Sequence, residues 1–273
     1  MTEDARRAAD RASRTADELG SHPVLTGLAR VGHVVNGLLH LVIAALALQV
    51  AWGGSGEQAD QSGALATLAA QPLGTVTLWV FVVGAGALAL WYLTEVVSPP
   101  PGEDDVSDRV KAGAKAVVYA AIAWSAAKFA VGSGSSGSSE EQTTGLTQTL
   151  MSYPAGQVLV GVVGLVVLAV GGYYVHKGAT QGFLDDLTTN PGTLATSVGT
   201  IGYPAKGIVL GLVGIFFAVA AWQQDPKEAT GLDGALKSLK EQAFGPYLLT
   251  AVALGIVAFG LYCFVRARYA RLD

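Results

Sequence analysis

Charge is scarce in this sequence. Only 14% of its 273 residues are Asp, Glu, Lys or Arg, against about 25% in an average soluble domain. Cysteine is nearly absent: Cys263 stands alone, which excludes an intramolecular disulfide and any cysteine metal cluster. Placed in an apolar run, that thiol reads as an inert core group. A net charge of -4 gives no basic surface for a polyanion, so nucleic acid is not an expected partner. Met1 to Val24 carries Arg6, Arg7, Arg11 and Arg14 among acids, with no apolar centre. It reads as a leader rather than a signal peptide. Neither Thr2 nor the ending Arg271-Leu272-Asp273 is a lipidation signal. Catalytic motifs are missing as well. There is no phosphate-binding glycine loop, no His-Glu-x-x-His, no nucleophile elbow and no pair of carboxylates inside an apolar run. The deepest acid, Glu95, stands at a run's edge, which argues against proton-coupled transport. The expectation is a protein that is not an enzyme and holds no resident cofactor.

What the sequence has is hydrophobic length. Apolar residues make up 51% and the mean hydropathy is +0.43. Crossing a bilayer takes about 20 consecutive, mostly apolar residues. Six runs approach that length: Leu28–Trp52, Leu73–Val97, Val110–Val131, Gly156–Val175, Val198–Trp222 and Phe244–Val265. A soluble helix keeps a polar stripe on its wet face, and these runs are apolar all round. They predict an all-α, polytopic membrane protein of six spans.

The runs repeat. With Gly74, Gly156 and Gly245 in register, Leu68, Leu150 and Leu239 fall six residues earlier. Trp91, Tyr173 and Tyr262 fall 17 later, and the charged Glu95, Lys177 and Arg266 fall 21 later. The odd-numbered runs align on Asn36, Lys115 and Lys206, each followed by a small residue (Gly37, Ala116, Gly207), with His40, Tyr119 and Leu210 four positions on. Matches in three copies signal a repeat. Each copy reads as a long helix, a connection holding a short amphipathic turn (Ala64–Leu68, Leu146–Leu150, Ala235–Leu239), and a second long helix. The expected division is a leader 1–24, repeat 1 at 25–98, a linker 99–108, repeat 2 at 109–190, and repeat 3 with a short tail at 191–273. An even number of spans per copy gives parallel repeats related by pseudo-threefold symmetry about an axis along the membrane normal.

Orientation follows from the basic residues in short flanks. Thirteen of the 17 Lys and Arg fall on the side of the N-terminus, and Lys128, Lys227, Lys237 and Lys240 on the other. Both termini are expected in the cytoplasm. Gly132–Ser139 reads as a flexible linker, and Ser98-Pro99-Pro100-Pro101-Gly102 as a stiff one.

This pattern resembles the bacterial membrane proteins of domain-of-unknown-function family 1206. The resemblance is carried by Gly32-His33-Val34-Val35-Asn36-Gly37, by Gly202-Tyr203-Pro204-Ala205-Lys206-Gly207, and by the three aligned glycines with their trailing aromatics. It covers about Leu25 to Arg271, and the middle copy departs with Ala114-Lys115-Ala116. It implies three tandem two-helix units in a bacterial plasma membrane and assigns no activity.

Polar residues inside the runs are the candidates for chemistry, because a charge in hydrocarbon costs at least about 2.5–3.5 kcal/mol. Asn36, Lys115 and Lys206 occupy one slot, with His33, His40, Tyr119 and Tyr203 a turn away on the same faces. Two readings stand. The lysines snorkel to cytoplasmic headgroups, or the slots form a polar ring on the axis. His33 and His40 lie about 10 Å apart along a helix, too far for one metal ion, and a haem would need His176 as a second ligand. Gly74, Gly156 and Gly245 are expected to serve packing, as is the small-xxx-small pair Gly207 and Gly211. Three functions remain: a small channel or transporter for an anion or small solute, a scaffold binding a membrane-protein partner or lipid, and, remotely, a haem binder. The lipid bilayer is a partner in each.

The topology has a direct check. In a Cys263→Ala background, a cysteine at Ser135 should react with an impermeant maleimide in intact cells, and one at Ser13 should not. The reverse labelling contradicts the orientation.

Overall fold

The computed structural model describes residues 22–53, 58–99, 105–134, 139–153 and 155–271, with Thr15 and Glu18. The rest of the leader through Ser21, the core of the proline connection and part of the Gly/Ser linker lie outside the described residues, as does Pro154.

The fold is all-α. The helices are α1 (Pro23–Ala51), α2 (Gln61–Ala69), α3 (Gly74–Val97), α4 (Val106–Ala130), α5 (Ser139–Met151), α6 (Gly156–Ala179), α7 (Thr193–Gln223), α8 (Leu232–Lys240) and α9 (Gly245–Tyr269). Short 3-10 turns at Gly182–Asp186 and Pro226–Glu228 follow α6 and α7. The expected amphipathic turns are the short helices α2, α5 and α8.

Five of the six long helices, α1, α3, α6, α7 and α9, are long and apolar enough to cross a membrane. Their surfaces suit that solvent. On α6, Val158, Val162, Leu165 and Val166 are at least half exposed, an apolar face that water would not tolerate at this extent. The sixth expected span differs. Helix α4 has 25 residues but carries Asp108, Arg109, Lys111, Lys115 and Lys128. Only Ala116–Ala127 is free of charge, about 18 Å of helix at 1.5 Å per residue, short of a hydrocarbon core of about 30 Å. Val117, Val118 and Trp124 of that stretch are nonetheless exposed.

The chain divides into two compact units. The first holds the described residues up to Asn36, then Gln71–Gly134 and those from Cys263 on; the second holds Gly37–Ala70 and Ser135–Tyr262. Helices α1 and α9 thus contribute a segment to each. In the first unit α3 packs on α4, around Leu25, Ala29, Ala87, Leu88, Trp91, Tyr92, Ala116 and Ala270. In the second, α6 packs on α7. Both pairs join the second helix of one copy to the first helix of the next.

Small residues make these contacts close. A Cβ on Gly171 of α6 would meet the Gly207 carbonyl and the Gly211 nitrogen, and one on Gly214 would meet the backbone of Leu168 and Gly164. On Gly211 itself it would only touch Leu168 at 3.8 Å. In the first unit a Cβ on Gly32 would strike the Gly84 carbonyl and Leu88. Without a hydrophobic force between helices in lipid, such backbone proximity is what binds them.

The three aligned glycines open α3, α6 and α9, and each makes the same bond. Gly74 donates to Gln71 at 2.8 Å, Gly156 to Tyr153 at 2.9 Å and Gly245 to Gln242 at 2.8 Å. Leu73 and Phe244, just before two of them, are left-handed at φ 66° and 61°. A Cβ on Gly156 would fall on the Leu150 carbonyl, and one on Gly245 on the Lys240 carbonyl. Glycine is needed there for close approach, where the short helix runs into the long one. Within the second unit a further tie joins the connections of copies one and three: fully buried Asp233 accepts from the Ala59 amide at 2.9 Å and pairs with Lys237.

Gly156→Ala should therefore lower the detergent Tm by the equivalent of about 1–3 kcal/mol. Gly172→Ala, on the same helix with nothing within 4 Å, should be neutral or up to about 1 kcal/mol stabilising. Equal effects would remove the close-approach explanation.

Candidate functional site

The seven polar candidates divide between the units. His33, Asn36, Lys115 and Tyr119 belong to the first, and His40, Tyr203 and Lys206 to the second. In each unit the shared slot faces one particular position on the neighbouring long helix.

In the first unit the Lys115 ammonium sits 4.8 Å from the centroid of the Tyr92 ring, and Tyr92 stacks on Tyr119 at 5.6 Å. In the second, the Lys206 ammonium lies 5.4 Å from the Tyr174 centroid and 4.2 Å from that of Phe259. Asn36 takes the same place in the first copy. It is buried, and its Nδ2 donates to the Cys263 Sγ at 3.3 Å. Tyr92, Tyr174 and Cys263 all stand 18 residues after the aligned glycine of their copy. Slot and partner thus repeat together as Lys–Tyr, Lys–Tyr and Asn–Cys. An ammonium over a ring face gains about 0.5–1 kcal/mol when exposed and about 2 or more when desolvated. Lys206 is half-buried and Lys115 exposed.

The remaining candidates fill in around these pairs. Tyr203, 3% exposed, stacks on Tyr174 at 5.5 Å and Phe183 at 5.2 Å, and meets Phe259 and Tyr262 edge-on. His40 lies against Phe259 at 4.8 Å. His33 is fully buried, and His176 is exposed.

Around the slots, cations close the helix ends. Lys177 pairs with both carboxylate oxygens of Asp186, at 2.9 and 2.8 Å. Arg266 donates from Nη2 to the Tyr92 hydroxyl at 3.4 Å. Arg30 donates to the Ala267 and Arg268 carbonyls of α9 at 3.2 and 2.6 Å, and Arg109 to Val96 and Val97 of α3 at 3.0 and 3.5 Å. Both arginines stand six residues before their slot and cap carbonyls 22 and 23 residues after the aligned glycine. Helix C-termini leave such carbonyls open, and a cation there also meets the negative end of the dipole.

Sequence reasoning picked out the slot and missed its partner. The signal was present one position beyond the aligned aromatics, where Tyr, Tyr and Cys do not look alike. The arginine caps were visible as Arg30 and Arg109 in register, with Thr200 in the third copy breaking the pattern.

The sequence model described as Domain of Unknown Function (DUF1206) matches residues 31–98, 110–181 and 201–270, once per copy. The chain belongs to the DUF1206 family. Each match spans one slot-bearing helix and the long helix after it, so each matched copy of this chain holds one slot and one partner position. The uncharacterized protein YxxB of Bacillus subtilis (strain 168) is similar, 27% identical over 259 residues that cover 92% of this chain and 93% of its own. No solved structure matches.

Replacing Arg30 by Ala should cost about 0.3–1 kcal/mol and raise amide exchange in the last turn of α9. Arg109→Ala should do the same at the end of α3. Unchanged exchange in both would remove the capping role.

Proposed function

We propose that this DUF1206 protein conducts or carries a small anion across a bacterial plasma membrane, with both termini in the cytoplasm and α4 as a sixth crossing whose end lysines, Lys111 and Lys128, reach to the headgroups. The observation that carries the reading is the repeated pairing of a lysine slot with an aromatic partner at junctions between copies. The ring face holds each ammonium at a fixed place beside the neighbouring helix, while its charge remains available to a passing anion. A carrier needs such groups, because an anion entering hydrocarbon loses its hydration and requires positive charge in place of water. The weighting of thirteen of 17 basic residues to the terminal side supports the orientation.

Lys115→Met together with Lys206→Met removes both charges and roughly keeps side-chain bulk. In liposomes offered chloride, acetate and phosphate in turn, the wild-type protein should pass at least one faster than lipid alone. The double variant should pass it at least tenfold more slowly while keeping its helical spectrum. Wild-type liposomes no leakier than lipid, or a double variant as fast as wild type, would contradict the proposal.

A further inference from the structure

His33 is fully buried in α1, and neither Nδ1 nor Nε2 has a hydrogen-bond partner among the described residues. Buried ring nitrogens are normally paired, so this imidazole has hydrogen-bonding capacity that the surrounding side chains leave unused. His33 stands one turn before Asn36 on α1, and Arg266 one turn after Cys263, the partner of Asn36, on α9. Arg266 and Lys115 meet on one side chain. Tyr92 presents its ring face to the Lys115 ammonium at 4.8 Å and its hydroxyl to the Arg266 guanidinium at 3.4 Å. Glu95, three residues along α3, is the acid on that face.

We infer that Arg266, Lys115 and His33 form a binding site for a phosphate-type oxyanion in the first unit. Arg266 supplies a planar fork suited to phosphate oxygens, Lys115 a point charge, and His33 one N–H donor. Tyr92 positions both cations. Lys115 is exposed, so the site opens outward there, and Val118, one turn along α4, and Leu93, next to Tyr92 in α3, are exposed apolar residues. The same oxyanion chemistry is offered by inorganic phosphate and by the headgroup of an anionic phospholipid whose chains would lie along those residues. The inference rests on the reading of the lysine slots as anion sites and names the class that the first-unit slot takes.

The test follows the Tm of the purified full-length protein against sodium phosphate and, separately, dioctanoyl phosphatidic acid. A saturable rise in Tm with phosphate supports the site with a free anion as source. A rise with phosphatidic acid alone supports it with lipid as source. In either case Arg266→Gln, Lys115→Gln and His33→Gln should each weaken binding at least tenfold, and Arg109→Gln, outside the cluster, should not. Lys115 is exposed, so its variant should fold even where a buried substitution does not. No rise with either probe, or wild-type affinity in Arg266→Gln and Lys115→Gln, would overturn the site. Wild-type protein that passes anions but binds neither probe would sink this inference alone, whereas wild-type protein that binds a probe but passes no anion would sink the transport reading instead.

Discussion

In a hydrocarbon solvent a polar side chain must find its partner on the neighbouring helix, and that requirement organises this molecule. The slot of Asn36, Lys115 and Lys206 meets the column of Cys263, Tyr92 and Tyr174 at helix contacts that join one copy to another. The pairing fixes which helix neighbours which. It also explains why a polar residue recurs at this depth in all three copies. Snorkelling to headgroups would need no ring at the same place in two of them.

Around this polar contact the apolar parts follow. Glycine lets α6 and α7 meet backbone to backbone at Gly171 and Gly207, which brings Lys206 within range of Tyr174. In α1 and α9, Gly37 and Gly260 hold the matching positions, and a Cβ on Gly260 would meet the Gly37 carbonyl at 3.0 Å. The first-copy position that matches Gly171 is Ala89, and its counterpart at the slot is Ala116. Small residues on both sides leave room for the larger polar pair beside them.

Much of this was legible in the sequence because its signals are long or periodic. The six long helices, the three copies, the short helices before each aligned glycine and the polar slot all came from run length and register. The apolarity of α4 was overread. Its alanines look helical and buried, but charges at both ends leave about 18 Å of uncharged helix. The partner column was not legible, because Tyr92, Tyr174 and Cys263 share a position and a role without sharing a side chain. Nor could one sequence show that a copy's second long helix packs against the first helix of the next copy. That choice depends on backbone clearance at residues such as Gly164, Gly207 and Gly214, which pattern alone does not rank.

The account's central claim is that slot and partner are energetically coupled across the contact between copies. A double-mutant cycle on Lys206→Met and Tyr174→Leu, read as unfolding free energy in detergent, tests it most directly. The account predicts a coupling of about 0.5–2 kcal/mol, and strictly additive effects would contradict it.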